Sequence, residues 1–167
     1  MYIKDLPIQV ILTDDHAVVR AGIKQFLESD PRIQVVAEAS NGIELINLLP
    51  NITYDVLVLD IQMPEMNGLT ATREIRKLCD RVGILILTAY DDPPYVQALL
   101  REGANGYVLK TASPDEIVQA VLDVYEGKMV IDAQLHQSDE DFMVFKNDPR
   151  NSLSEREIQV LEMVSLG

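Results

Sequence analysis

Three carboxylates, a hydroxyl group and an ammonium group end or directly follow short apolar segments of this sequence. They belong to Asp14, Asp15, Asp60, Thr88 and Lys110. Carboxylates placed close together repel one another unless a cation lies among them, and Mg²⁺ prefers such oxygen ligands. A carboxylate can act as the nucleophile in phosphoryl transfer, while ammonium and hydroxyl groups bind phosphoryl oxygens. If the fold gathers these residues, they predict a site that forms an aspartyl phosphate on Asp60 with Mg²⁺.

The apolar segments have the length and composition of strands buried on both faces. The clearest is Val56–Leu59, which runs directly into Asp60 and is followed by a turn at Pro64. Short apolar runs between turn residues are typical of parallel sheets. Similar segments predict four further strands, at residues 8–13, 33–39, 84–89 and 106–110.

Helical spacing and capping signals lie between these strands. The first predicted helix carries apolar residues with i, i+4, i+7, i+8 spacing: Val19, Ile23, Phe26 and Leu27. Ser113 before Pro114 predicts the N-cap of the last helix, which extends to about residue 126. The other helices are predicted at residues 43–49, at 69–78 and from a start within 91–94 to 101 or 102. In the third helix, Leu69, Ile75 and Leu78 are expected to face the core.

Alternating strands and helices predict an α/β fold with a parallel sheet covered on both faces. Five strands in this length suit a flavodoxin-like (βα)5 doubly wound sheet with strand order 2-1-3-4-5. In that order strands 1 and 3 are neighbours, so Asp14, Asp15 and Asp60 converge at the carboxyl edge. Thr88 and Lys110 lie at the ends of the next two strands. Ligands bind at this edge in open α/β sheets.

The composition of the 167-residue chain favours a globular protein and excludes several functions. Hydrophobic residues make up 47%, and no apolar run approaches the roughly 20 residues that span a bilayer. The net charge is −13, without a cluster of Lys and Arg for a phosphate backbone. The single Cys79 excludes an internal disulfide, and the first residues lack the features of a signal peptide. We expect a cytoplasmic protein without membrane contact.

The motifs together closely resemble the receiver domains of two-component response regulators, over roughly residues 8–130. They are Asp14-Asp15, Leu59-Asp60-Ile61-Gln62-Met63-Pro64 with Gly68, Thr88-Ala89, and Leu109-Lys110 followed by a proline. The resemblance implies that Asp60 accepts a phosphoryl group from a sensor histidine kinase. It also implies that Asp15, Asp60 and the backbone carbonyl of Gln62 bind Mg²⁺, with Asp14 acting through a water molecule. Such a protein is regulatory rather than an enzyme, although it takes part in its own aspartyl phosphorylation and dephosphorylation.

The resemblance further implies a switch and two residues that tune the phosphoryl lifetime. Tyr107, expected to face outward under strand alternation, corresponds to an aromatic residue that rotates inward when the Thr88 hydroxyl moves toward the phosphate. Gln62 and Tyr90 flank the acceptor and are expected to orient or exclude the hydrolytic water. Considered alone, Thr88 could simply end a strand, and Lys110 could be a solvated charge. These separate explanations do not account for the whole set, because the residues occur together at successive strand ends.

The last part of the chain predicts two further segments. Residues 131–151 form an acidic linker around an apolar segment at 142–145. In residues 152–167, Ser154 and Glu157 form a capping box at a helix start. This helix resembles the opening of a LuxR/NarL-type helix-turn-helix domain, here incomplete. The resemblance implies a transcription regulator that forms a homodimer on activation and contacts DNA only through that domain. Residues 1–130 would be the receiver domain.

Three other functions compete with a phosphorylated regulator. A phosphatase with an aspartyl-phosphate intermediate needs a second acid two residues after the nucleophile, where this chain has Gln62. A flavin-binding protein needs a loop that cradles phosphate after the first strand, where Asp14 and Asp15 would repel it. A receiver that acts as a phosphorylation-independent interaction module remains the alternative. His16 receives no role, because a surface histidine at a helix start explains it.

Overall fold

The fold consists of alternating strands and helices in the order predicted from the sequence. A computed structural model describes residues 6–89 and 93–131, except for the side chains of residues 93–95. The strands are β1 (Ile8–Thr13), β2 (Ile33–Ala39), β3 (Val56–Leu59), β4 (Gly83–Thr88), β5 (Gly106–Leu109) and β6 (Val130–Ile131). The helices are α1 (Ala17–Glu28), α2 (Gly42–Leu48), α3 (Gly68–Leu78), α4 (Pro93–Arg101) and α5 (Pro114–Tyr125), and a 3₁₀ turn at Leu49–Asn51 holds Pro50. None of the helices in these ranges is long and apolar enough to cross a bilayer.

All strands of the sheet are parallel, in the order β2-β1-β3-β4-β5-β6. The flavodoxin-like topology and the order of the five predicted strands are therefore confirmed. The sixth strand was not predicted, because two residues carry no periodicity. It pairs with β5 through Gly106 and Val130, so ordered structure crosses the predicted boundary between residues 130 and 131.

Two hydrophobic clusters cover the two faces of the sheet. On one face, strand residues pack with α2, α3 and α4. On the other face, the alternating strand residues pack with α1 and α5. Tyr107 is fully buried in the first cluster. The expectation that Tyr107 faces outward is therefore wrong, because helices cover both faces of this sheet and neither side of β5 points to solvent.

Two helices differ from the predicted core faces. In α3, Leu78 is 65% exposed, so its predicted position on the inner face is wrong. The apolar face continues from Ile75 to half-buried Cys79, one residue further, where the helix ends. In α1, Ile23 and Leu27 are buried as predicted, but Val19 and Phe26 are each 39% exposed.

Asparagine and serine side chains fix the starts of three helices. The side chains of Asn41, Asn67 and Ser113 accept hydrogen bonds from the third residue of α2, α3 and α5 respectively. At Ser113 a full capping box forms with Glu116, as the sequence signal predicts. The start of α2 also contacts the loop after β3, since the Gly42 N–H donates to the Met66 carbonyl (3.2 Å).

The half-buried side chain of Arg76 joins three segments at the amino edge of the sheet. Its guanidinium donates to the carbonyls of Gly103 (2.8 and 2.9 Å) and Val82 (2.7 Å) and to the Asn105 side chain (2.7 Å). The same Asn105 oxygen accepts from the Ile84 N–H at 2.9 Å. Burial lowers the pKa of Arg76, while the neighbouring Cys79 and Asp80 oppose that effect. These hydrogen bonds link α3 to the loops that precede β4 and β5.

Candidate functional site

The sheet places the predicted site residues at one edge. Asp14 and Asp60 follow the neighbouring strands β1 and β3, and the Asp60 N–H donates to the Thr13 carbonyl (3.0 Å). Thr88 ends β4 and Lys110 follows β5, and the Lys110 N–H donates to the Thr88 carbonyl (2.7 Å). Because the strands are parallel, their carboxyl ends lie side by side, as the sequence predicts.

Lys110 joins the two buried carboxylates. Its Nζ lies 2.5 Å from Asp14 Oδ2 and 3.1 Å from Asp60 Oδ2. The side chains of Asp14, Asp60 and Lys110 are 2%, 7% and 18% exposed, so water screens these charges only weakly. The long side chain thus brings one positive charge from β5 to the acids that follow β1 and β3.

Backbone N–H groups hold the other oxygen of each carboxylate. Asp14 Oδ1 accepts from the His16 N–H, and Asp60 Oδ1 accepts from the Ile61 N–H, both at 2.8 Å. The Arg20 guanidinium also donates to the Asp14 backbone carbonyl at 2.6 Å, and Arg20 is itself paired with Glu38. Sequence analysis missed Arg20, whose position at the end of the first turn of α1, close after the acid pair, was the available signal.

Burial and charge shift the pKa values of the central pair. Burial raises the pKa of Asp60 above its ordinary value, and the charge of Asp14 adds to this rise, while Lys110 opposes it. Burial lowers the pKa of Lys110, but its hydrogen bonds and the charges of Asp14 and Asp60 outweigh that effect, so the pKa is raised. Lys110 therefore carries its positive charge at neutral pH.

The loop after Asp60 passes so close to the acceptor that only glycine fits at its end. A Cβ atom on Gly68 would collide with the Asp60 carbonyl oxygen and approach the Ile61 Cα atom to 2.9 Å. The Gly68 N–H donates to the Ile61 carbonyl (2.8 Å), which closes the loop. Glu65 adopts a left-handed backbone conformation (φ 66°) within it. The predicted importance of Gly68 thus has a steric cause.

The acids form a cluster that could hold a metal ion. One oxygen each of Asp14, Asp15 and Asp60, with a ring nitrogen of His16, lie within 4.8 Å of one another. Asp15 Oδ1 is a buried atom that accepts no hydrogen bond, although His16 Nδ1 lies 2.9 Å away. A set of carboxylate oxygens, one of them without a hydrogen-bond donor, fits a hard divalent cation such as Mg²⁺.

Some of the remaining predicted residues lie at this edge, and others lie outside the described residues. Thr88 is fully buried and Ala89 beside it is exposed. Gln62 is half-buried in the loop after Asp60. Tyr90 lies outside the described residues, as do the predicted linker from residue 132 and the predicted helix at 152–167. His16, to which the sequence assigned no role, is brought beside the acids by the start of α1.

Comparison with protein families identifies the class of this chain. The family described as response regulator receiver domain matches residues 10–122. The chain belongs to this family, which confirms the resemblance inferred from the sequence.

Similar proteins are regulators of the NarL/LuxR type. The oxygen regulatory protein NreC of Staphylococcus epidermidis is 36% identical over 95% of this chain and 78% of its own length. The response regulator UvrY of Escherichia coli is 37% identical over 96% of this chain and 75% of its own length. Both relatives are longer than the present chain.

Solved structures agree with the fold. A LuxR-family regulator from Aurantimonas sp. is 33% identical, with a TM-score of 0.78, over 83% of this chain and 99% of its own. The receiver domain of RcsB from Salmonella enterica, with the phosphate mimic BeF₃⁻, is 30% identical, with a TM-score of 0.73, over 78% and 97%. RcsB dimers bound to DNA are 28% identical, with a TM-score of 0.75, over 95% and 76%.

Proposed function

We propose that this chain is the phosphoacceptor part of a response regulator and receives a phosphoryl group on Asp60 from a sensor histidine kinase. The observation that carries this proposal is the position of Lys110 Nζ between Asp14 and Asp60, at the carboxyl edge of the sheet. This arrangement concentrates the charges that phosphoryl transfer requires in a site with little water.

In the proposed reaction, an oxygen of Asp60 attacks the phosphorus of a phosphohistidine. The bond between phosphorus and the histidine nitrogen breaks as the bond between phosphorus and the Asp60 oxygen forms. Lys110 then exchanges its contact with Asp60 for one with a phosphoryl oxygen, and the Thr88 hydroxyl donates to another. Loss of the phosphoryl group follows when water attacks the phosphorus and restores the carboxylate.

Mg²⁺ would supply charge neutralisation between the acids and the phosphoryl oxygens. Asp15, Asp60 and the backbone carbonyl of Gln62 would hold it directly, with Asp14 acting through a water molecule. The buried Asp15 Oδ1, which accepts no hydrogen bond, supports this assignment. Gly68 serves the site sterically, because it lets the loop that carries the Gln62 carbonyl close against Asp60.

Phosphorylation would change the partners of Thr88 and thereby the environment of Tyr107. In the register of the sheet Tyr107 lies beside Ile86, two residues before Thr88, and its side chain is fully buried. The inward position that the switch requires is therefore available to the side chain. We assign Gln62 and Tyr90 to the control of phosphoryl lifetime, because they lie two residues after Asp60 and two residues after Thr88 respectively.

The output of this switch would be a change of assembly and of DNA binding. RcsB dimers bound to DNA are a structural relative of this chain, which supports a homodimer that contacts DNA through a helix-turn-helix domain starting near residue 152. The cytoplasmic location and the division into a receiver at 1–130 and a linker at 131–151 belong to the same proposal.

Labelling with a small phosphodonor tests the acceptor. The chain is incubated with Mg²⁺ and acetyl phosphate or carbamoyl phosphate, and acid-labile phosphoryl groups are counted by mass spectrometry. We expect one group in the wild type and none in Asp60→Asn. The exposed Asp115 of α5 provides a matched control, since Asp115→Asn should be labelled normally. Equal labelling of Asp60→Asn would refute the assignment of the acceptor.

Assembly distinguishes this regulator from a phosphorylation-independent interaction module. Light scattering of the same samples should show that dimers form in the labelled wild type and not in Asp60→Asn. Dimers of equal stability in both, with or without the phosphodonor, would favour the interaction module.

A further inference from the structure

His16 is a nitrogen donor beside an otherwise all-oxygen cluster. Its Nδ1 atom lies 2.9 Å from Asp15 Oδ1 and 3.6 Å from Asp14 Oδ1. The imidazole is 68% exposed, so it can turn about its side-chain bonds without displacing packed neighbours. The backbone of the same residue is fixed, because the His16 N–H donates to Asp14 Oδ1.

The spacing of these atoms is that of ligands around one ion. For metal–ligand bonds of about 2.1 Å in an octahedral site, adjacent ligands are about 3.0 Å apart and opposite ligands about 4.2 Å. The separation of 2.9 Å between His16 Nδ1 and Asp15 Oδ1 matches adjacent positions. The four donor atoms, with Asp60 included, lie within 4.8 Å of one another. Small side-chain rotations bring these separations into the range of about 3.0 to 4.2 Å expected for an octahedral site.

The donor types determine which ion benefits. Mg²⁺ prefers oxygen ligands and gains little from imidazole, whereas divalent transition-metal ions also accept imidazole nitrogen, Co²⁺ and Zn²⁺ more strongly than Mn²⁺. Asp15 Oδ1, the oxygen nearest the imidazole, is buried and accepts no hydrogen bond. A cation between these two atoms would satisfy both at once.

We propose that His16 is a direct ligand of the metal ion in this site and makes it selective for a divalent transition-metal ion such as Mn²⁺ over Mg²⁺. The inference rests on the proposed metal centre at Asp15 and Asp60, and it adds a ligand and a class of cofactor to that centre. The competing explanation is that His16 only pairs with the Asp15 carboxylate.

Affinities for two ions test the selectivity. Mn²⁺ and Mg²⁺ are titrated into the 167-residue chain and into His16→Ala, with Mn²⁺ binding followed by electron paramagnetic resonance and Mg²⁺ by competition. Loss of an outer-shell partner alone costs about 10–100-fold in metal affinity, so loss of a direct ligand should weaken Mn²⁺ binding by at least about tenfold, while Mg²⁺ affinity changes less than about twofold. Equal changes for the two ions would show that His16 acts through Asp15 and would overturn the proposal.

Pulsed electron paramagnetic resonance of bound Mn²⁺ tests the bond itself. The chain has two histidines, His16 and His136, so His136→Ala is the matched control. With the histidine rings labelled with ¹⁵N, we expect a nitrogen coupling in the wild type and in His136→Ala, and none in His16→Ala. A coupling absent from the wild type, or retained in His16→Ala, would overturn the proposal.

The two proposals fail in different ways. If Asp15→Asn abolishes binding of both ions and no imidazole coupling is seen in the wild type, the metal centre stands and the role of His16 is refuted. If neither ion binds to the wild type at millimolar concentration, the metal centre fails together with the role of His16. Phosphoryl labelling of Asp60 then still measures the acceptor independently.

Discussion

Two buried or half-buried cations lie at opposite edges of the sheet, and they are satisfied by different kinds of partner. At the carboxyl edge, Lys110 contacts two carboxylates. At the amino edge, Arg76 contacts carbonyl and amide oxygens of Gly103, Val82 and Asn105. Carbonyl partners are permanent parts of the backbone, so the Arg76 contacts fix loops in place. Carboxylate partners can instead be modified, protonated or bound by a metal ion.

Under the proposed function, this difference assigns stability to the amino edge and switching to the carboxyl edge. A flexible ammonium group can leave one carboxylate for a phosphoryl oxygen without breaking a network. A planar guanidinium that donates several hydrogen bonds at once cannot move without losing most of them. The edge that we propose to react therefore has its cation on a flexible side chain, while the opposite edge has its cation on a rigid one.

Removal of Arg76 should have the largest effect on stability. In Arg76→Ala, the oxygens of Gly103, Val82 and Asn105 lose the guanidinium that donates to them, at a cost of about 2–4 kcal/mol. Phosphoryl labelling at Asp60 should persist at a temperature where the variant is folded. Urea unfolding measures the first effect and mass spectrometry the second. Loss of labelling in the folded variant would contradict the separation of the two edges.

A methyl group at Gly68 should damage the reactive edge. Because its Cβ would collide with the Asp60 carbonyl oxygen, Gly68→Ala must shift the loop, and we expect a loss of about 1–3 kcal/mol together with weaker labelling. Gly22 in α1 is the control, since a Cβ there meets no atom within 4 Å. Gly22→Ala should leave labelling intact and raise the unfolding free energy slightly. Equal labelling of the two variants would remove the steric argument.

Removal of Lys110 should raise the affinity for Mg²⁺ and lower the extent of phosphoryl labelling. Lys110→Ala leaves the adjacent Asp14 and Asp60 without their positive charge, so Mg²⁺ affinity should rise by about tenfold. Labelling should fall, since no ammonium group meets the phosphoryl oxygen. Calorimetric titration measures the affinity, and Lys128→Ala, at a 62% exposed lysine, should bind Mg²⁺ normally. An unchanged affinity in Lys110→Ala would show that Lys110 does not compete with the ion.

The pair of the exposed Arg32 and the half-buried Asp30 should have the smallest effect. Hydrogen bonds from Arg32 lower the pKa of Asp30 from 3.8 to about 2. The stability from this pair is therefore present above the ordinary pKa and is lost as pH falls through about 2. Because Arg32 is 65% exposed and solvent screens the pair, Arg32→Ala should lower the urea midpoint at pH 7 only slightly. The difference in urea midpoint between the wild type and Arg32→Ala should be smaller at pH 3 than at pH 7.

The sequence predicted the strands and their carboxyl ends because buried parallel strands leave a local pattern. Four apolar residues followed by Asp60 are visible without knowledge of the fold. The position of Tyr107 was not predictable from alternation, since both faces of the sheet are covered. The end of α3 at residue 78 was predicted correctly, but Leu78 was misplaced because Cys79, one residue further, takes the position against the core.

Contacts between distant residues were beyond the sequence pattern. Arg76 meets Gly103 and Asn105 across 27 and 29 positions, and no spacing rule links them. His16 was assigned to the surface, and its imidazole is indeed exposed. What the sequence could not give was the direction of its ring nitrogen toward Asp15, which follows from the turn between β1 and α1.

The hydrogen bond between Gly42 and Met66 makes the opening of the loop after Asp60 measurable. A backbone amide exchanges its hydrogen with solvent only while its hydrogen bond is open. The Gly42 N–H is held by the carbonyl of Met66, two residues before Gly68 in the loop that follows Asp60. Its exchange rate therefore counts the openings of that loop from a helix that takes no part in the chemistry.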